Sequence, residues 1–248
     1  PVQAENKVHK GFMWAFVNDD FILYRYSKTR SSVTPSEVLG LSSGTLLADG
    51  YSGYNKICSP RGRTRAGCLA HARRKFFEAK EQAPAAKLVL EKIKELYQIE
   101  YEAAKLNILG QLAHLDLRKQ RAGPILAEIH EVIVDLSSTH PPKSAMGQAI
   151  GYAINNWTAL NQFIENPALP LDNNASERAL RLIALGRTNY LFPGHDASAE
   201  NLAGLYSLMA SCALNQINPE PSLADVLIPV HSPPHPAQAD VVPPHRHR

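Results

Sequence analysis

The sequence predicts an α/β protein: a mixed sheet core interrupted by a large α-helical block. Two observations lead there. In the first third, apolar runs of strand length alternate with helical patterns, which is the texture of α/β folds. From about residue 84 to 166 strand signals vanish and a 3.6-residue apolar period takes over, so that block reads as an insertion.

The elements follow in order. Gly11 to Val17 is aromatic and β-branched and predicts a strand. Asn18-Asp19-Asp20 is a turn signal, and Phe21 to Tyr26 is a second strand, so the two form a hairpin. Thr34-Pro35-Ser36-Glu37 opens a helix, with Pro near its first position and Val38, Leu39 and Leu41 on the buried side. Gly44 to Ala48 is a short apolar run of the kind a buried strand shows, and it stops at Asp49-Gly50. Tyr51 to Asn55 is a turn or short helix, Thr64 to Ala70 another buried strand, and His71 the start of an amphipathic helix. Three stripes then follow: Val89, Ile93, Leu96, Tyr97; Ile125, Ile129, Val132, Ile133, Leu136; and Met146, Ile150, Ala153, Trp157, Leu160, Ile164. Breaks at Gly123-Pro124 and His140-Pro141-Pro142 divide them into about three packed helices. Leu171 to Arg181 is a polar turn running into a helix: Asp172 to Asn174 supply the N-cap, Ala179, Leu180, Ile183 and Ala184 the apolar stripe, and Gly186 the stop. Asn189 to Gly194 reads as extended chain and turn, and Leu202, Leu205, Tyr206, Met209 and Cys212 mark a last long helix. The expected divisions are 1–83 and 167–228 for the core, 84–166 for the helical insertion, and 229–248 for a flexible Pro/His-rich tail that cannot bury a core.

Composition narrows the function classes. A chain of 248 residues with 44% hydrophobic residues can bury a core. No apolar run approaches the roughly 18 residues of a membrane span, and the N-terminus lacks the pattern of a signal peptide. Three cysteines, Cys58, Cys68 and Cys212, suggest no disulfide framework, so a reducing cytosol is the default compartment. A net charge of +3 permits nucleic acid as a partner, and only local clustering can argue for it. A chain starting at Pro1 rather than Met reads as a fragment or a processed product.

Several residues are candidates for chemistry. Asp49 stands at the exit of a predicted strand, where sites form in open α/β sheets; Asp-Gly is also a common turn dipeptide, the simpler reading on local evidence. Glu177 in the first turn of its helix is either a metal ligand or a capping-box residue paired with Asn174. Asp49 and Glu177 brought together would offer hard oxygen ligands to Mg²⁺, and a third carboxylate would complete a two-metal phosphoryl-transfer site. Cys68-x-x-His71 is half a zinc signature, and a buried Cys beside a helix-ordering His is the simpler reading. Arg61, Arg63, Arg65, Arg73, Arg74 and Lys75 fall in a window without an acid, which suits a phosphate backbone or a solvated face. Arg178, Arg181 and Arg187 add charge around the Glu177 helix. The tail histidines, among them His231, His235, His245 and His247, belong to solubilising sequence.

Three segments together carry a resemblance: Ala48-Asp49-Gly50-Tyr51-Ser52-Gly53-Tyr54, then Cys68-Leu69-Ala70-His71-Ala72-Arg73-Arg74-Lys75-Phe76-Phe77, then Asp172-Asn173-Asn174-Ala175-Ser176-Glu177-Arg178-Ala179-Leu180-Arg181. In this order they resemble the insertion-sequence-66 family of bacterial transposases, and Gly186 to Phe192 and Tyr206-Ser207-Leu208 fit as well. The similarity extends to about Leu227. It implies a DDE transposase with a ribonuclease-H-like core that here lacks its first strand. Asp49 takes the place of the second catalytic Asp, Glu177 that of the catalytic Glu, and Cys68 and His71 that of a structural motif. The partners implied are two Mg²⁺ or Mn²⁺ ions, transposon-end and target DNA, an oligomeric complex, accessory transposon proteins and the bacterial nucleoid. Thr188 and Tyr190 depart from the family's Lys and Trp. The family's first catalytic Asp lies in an Asp-Glu-Thr motif just before a Pro-Val pair like Pro1-Val2. The expectation is therefore a catalytic domain whose first acid lies upstream of residue 1, inactive as a fragment; the alternative is a DNA-binding remnant without catalysis.

Overall fold

The computed structural model describes residues 2–4, 7–40, 42–58, 62–190 and 194–224. It is an α/β protein, mostly helical, with small sheets. The chain divides into two compact units, Pro1–Thr29 with Ala175–Arg248, and Arg30–Asn174. The tail from residue 225 and residues 191–193 lie outside the described residues.

In the first unit β1 (Val2–Ala4) pairs antiparallel with β2 (Lys7–His9). These short strands had no signal in the sequence. The expected hairpin is present: β3 (Phe12–Val17) pairs with β4 (Ile22–Ser27), with Val17 opposite Ile22. Asn18 makes the turn, its Oδ1 accepting the N–H groups of Asp20 at 3.1 Å and Phe21 at 2.7 Å. Helices α8 (Asn174–Tyr190) and α9 (Asp196–Leu214) complete this unit, assigned from Ala175 onward. Its core is Tyr24, Tyr26, Ala179, Ala199, Ala203 and Ala210.

Two details differ from expectation. Helix α8 continues past Gly186 to Tyr190, so the predicted stop and extended segment are incorrect over 186–190; one glycine costs a helix only about 1 kcal/mol. The buried side of α9 is alanine and serine rather than leucine: Leu205 and Met209 are exposed. Small residues let α9 approach the edge of β4, where Ser207 Oγ accepts the Tyr24 N–H at 2.8 Å and Ser211 Oγ the Ile22 N–H at 3.1 Å. An edge that would otherwise expose unpaired backbone donors is satisfied by side chains one helical turn apart.

The second unit starts with α1 (Val33–Leu39) and the parallel pair β5 (Thr45–Ala48) and β6 (Thr64–Gly67), with Ala48 opposite Gly67. Described strands pair only two by two, and of β5 only Ala48 is fully buried, so the expected buried strand is mostly an edge. Helix α2 (Leu69–Ala79) begins two residues before His71. Cys68 is its extended N-cap residue, so Leu69 and Ala70 belong to the helix and the strand ends at Gly67.

Residues 86–165 hold helices: α3 (Ala86–Lys105), α4 (Leu112–Leu117) running into a π turn (Arg118–Ala122), α5 (Gly123–Ser137), α6 (Ala145–Asn155), α7 (Trp157–Leu160) and a 3-10 turn (Gln162–Glu165). There are more helices than the three expected. All three predicted stripes enter one core, which also takes Ala66, Leu69, Ala72 and Phe76 from β6 and α2. Helix α4 was not anticipated because its inward residues are polar. Arg118 and His114 are each 1% exposed. The Arg118 guanidinium grips both Glu100 oxygens, at 2.9 and 2.7 Å, and donates to the Phe163 and Asn166 carbonyls, each at 2.8 Å. His114 accepts the Gly110 N–H on Nδ1, leaving Nε2–H to face Glu100 at 3.2 Å. A buried charge is tolerable only with such complete pairing.

Candidate active site

Asp49 follows the last residue of β5, at the carboxyl end of the parallel pair, and is half-buried. Its Oδ1 accepts the Tyr51 N–H at 3.1 Å, closing a tight Asx turn. Its other oxygen has no hydrogen-bond partner among the described residues. Around the turn lies a layer of rings and cations. Arg30 sits over the Tyr51 ring at 4.5 Å, Tyr51 meets Tyr54 edge-on at 5.6 Å, and Arg65 lies 5.2 Å from the Tyr54 ring centre. Tyr54 is pushed up to about 12, first by burial and then by the Asp49 charge.

The Cys68 motif is built at the same end of β6. Cys68 is fully buried, and burial raises its thiol pKa although backbone N–H groups of Asn173, His71 and Ala70 approach the sulfur. The Leu69 N–H donates to the Leu171 carbonyl at 2.9 Å. Two motifs about 100 residues apart in sequence thus meet: Cys68-x-x-His71 and Asp172-Asn173-Asn174. Asp172 is held in turn. Its Oδ1 accepts the Asn174 N–H at 3.1 Å and its Oδ2 the Tyr97 hydroxyl at 2.9 Å. Burial and then the Asp172 carboxylate raise the Tyr97 pKa strongly.

Glu177 is half-buried in the first turn of α8, with Arg178 and Arg181 exposed on the same helix. It is assigned to the first unit, whereas Asp49 belongs to the second.

The basic window separates into kinds. Arg61 lies outside the described residues, as does the side chain of Arg187. Arg73 and Arg74 are exposed on α2. Lys75 is half-buried over the Tyr152 ring, 5.2 Å from its centre. Arg63 donates to Ser42 Oγ, and Arg65 is turned onto backbone carbonyls. Nothing in the sequence distinguished these roles, because each depends on which acceptor the fold brings within reach.

Asp49 offers the hard carboxylate oxygens that Mg²⁺ prefers, one of them also held by the Tyr51 N–H. Among the described residues no three His, Cys, Asp or Glu side chains form a group that could hold a metal ion, which includes the half-zinc motif at Cys68. A single carboxylate of this kind can supply one ligand to a cation and not a whole site.

Comparison with known proteins places the chain in a family. The family model described as "Transposase IS66 family" matches residues 1–201. Among curated relatives, the uncharacterized protein y4hP of Sinorhizobium fredii (strain NBRC 101917 / NGR234) is 32% identical over 92% of this chain and 46% of its own. The uncharacterized protein y4jD of the same strain is 34% identical over 82% of this chain and 41% of its own. The chain thus spans less than half the length of these relatives. No solved structure matches. The chain belongs to the IS66 family of transposases. No helix among the described residues is long and apolar enough to cross a membrane.

Proposed function

We propose that this chain is the catalytic-domain portion of a DDE transposase, a ribonuclease-H-like core with a helical insertion that cleaves and joins insertion-sequence DNA. The observation that carries it is the Asp49 turn at the carboxyl end of parallel β5 and β6, beside the assembled Cys68 and Asp172 motifs of a transposase family. In this reading Asp49 and Glu177 are acidic ligands of a divalent-ion site that a further acid completes. Mg²⁺ or Mn²⁺ bound there supplies Lewis-acid stabilisation of the attacking and leaving oxygens of an in-line displacement. The protein orients the carboxylates and holds the DNA. Exposed Arg73, Arg74, Arg178 and Arg181, with Arg61 and Arg187, neutralise phosphates, and Cys68 with His71 shapes the turn into α2. Oligomeric assembly on paired transposon ends belongs to the same reading.

The test is strand cleavage and transfer on matched transposon ends by the full-length protein with Mg²⁺ or Mn²⁺. Asp49→Asn and Glu177→Gln should each lower the rate by about 10²-fold or more, the scale of losing one preorganised electrostatic group, with DNA affinity retained. A remnant that only binds DNA would show affinity and no metal-dependent cleavage in the parent protein.

A further inference from the structure

Arg65 belongs to the basic window and looks like a phosphate contact. Its surroundings give it another task. It stands on β6, opposite Leu46 of β5, and is half-buried. Its Nη2 donates to the Asp49 carbonyl, and Nη1 and Nη2 approach the Tyr51 carbonyl at 3.5 and 3.4 Å. The guanidinium plane also lies by the Tyr54 ring, and the Cys58 thiol is near enough to feel its charge. The two terminal nitrogens therefore face the backbone either side of Gly50, while Nε is buried with no hydrogen-bond partner among the described residues.

Tyr152 of α6 packs on the same turn. A β-carbon built on Gly50 would lie 2.6 Å from Tyr152 Cε2, so the ring rests directly on the backbone there. The Gly50 N–H also lies near the Tyr152 hydroxyl. A side chain at position 50 would need the Tyr152 ring to shift.

We infer that Arg65 and Tyr152 are positioning residues that clamp the Asp49–Tyr51 turn and so fix the direction of the Asp49 carboxylate, and that Arg65 is not a DNA contact. The inference rests on the reading of Asp49 as a metal ligand. It also gives the helical block a role at the site through Tyr152. A flat bidentate cation suits two neighbouring carbonyls, whereas lysine can reach one.

The test uses the full-length protein with Arg65→Gln, Arg65→Lys, Tyr152→Phe and Arg74→Gln. Three readouts separate the roles: amide hydrogen exchange across residues 49–54, the Mn²⁺ concentration for half-maximal cleavage, and the salt dependence of DNA binding. Arg65→Gln should speed exchange in the turn by about tenfold or more and raise the Mn²⁺ requirement at least as much. Its salt slope should equal the parent's, whereas Arg74→Gln should lower the slope by about one. Arg65→Lys should fall between parent and Gln, and Tyr152→Phe should loosen the turn less. A folded Arg65→Gln protein with unchanged exchange overturns the clamp, and so does a lowered salt slope with an unchanged Mn²⁺ requirement. If Arg65→Gln does not fold, unchanged exchange in both Arg65→Lys and Tyr152→Phe has the same force. Metal-dependent cleavage that survives Asp49→Asn would instead sink the functional reading, and the exchange data would report on the clamp independently.

Discussion

At the scale of single residues, the polar contacts that matter most gather several partners on one group. Asp196 accepts the Tyr26 hydroxyl at 2.6 Å, and Lys28 and His9 lie 2.7 and 3.1 Å from its oxygens. Lys28 and then Tyr26 hold its carboxyl at about 2, below the ordinary 3.8. A folded-state pKa below the unfolded one means stability that is present above the unfolded value and lost as pH falls through the folded one. Urea titrations at a series of pH values should therefore show parent more stable than Asp196→Asn above about pH 4, the ordinary range for an aspartate, with the gap closing toward pH 2. A gap that does not narrow over that interval would show that the carboxylate's charge is not what matters. Asp49 was legible as a candidate because Asp-Gly ends an apolar run. The work of Arg65 was not, because an arginine in a basic run looks the same whether it faces phosphate or a carbonyl of its own chain. Arg118 makes the point from the other side: its residue type signals surface, and only four hydrogen bonds explain its burial.

At the scale of elements, periodicity was a sound guide wherever burial was apolar. The stripes through Val89, Ile129 and Ile150 all reach the core, because one helix face recurs every 3.6 residues. It failed for α9, where close approach to a strand edge selects alanine and serine. That packing makes a prediction. Ser207→Ala and Ser211→Ala each leave a β4 donor without its acceptor, which costs about 1–3 kcal/mol where the group stays dry. Denaturant melts of the single variants should show losses of that size, and exchange of the Tyr24 and Ile22 amides should accelerate in the matching variant. Stabilities equal to the parent's would mean that water replaces the hydroxyls at no cost. The helix boundaries around Cys68 and Gly186 were the least legible, since an apolar dipeptide can close a strand or open a helix, and a lone glycine can sit inside one.

At the scale of the whole molecule, the proposed function assigns two residues to one site, Asp49 of the second unit and Glu177 of the first. The motifs gathered around Cys68 show how distant segments are tied within a unit, with Asn173 and Leu171 meeting the start of α2. The central claim is that Asp49 and Glu177 serve one divalent-ion site. It is tested most directly by loading the full-length protein with Fe²⁺ and mapping hydroxyl-radical cuts in its own backbone. Cuts near both residues 49 and 177 are expected, suppressed together by Mg²⁺ and lost together in Asp49→Asn or Glu177→Gln. Cuts at one position alone, or at one position persisting after the other acid is replaced, would contradict a shared site.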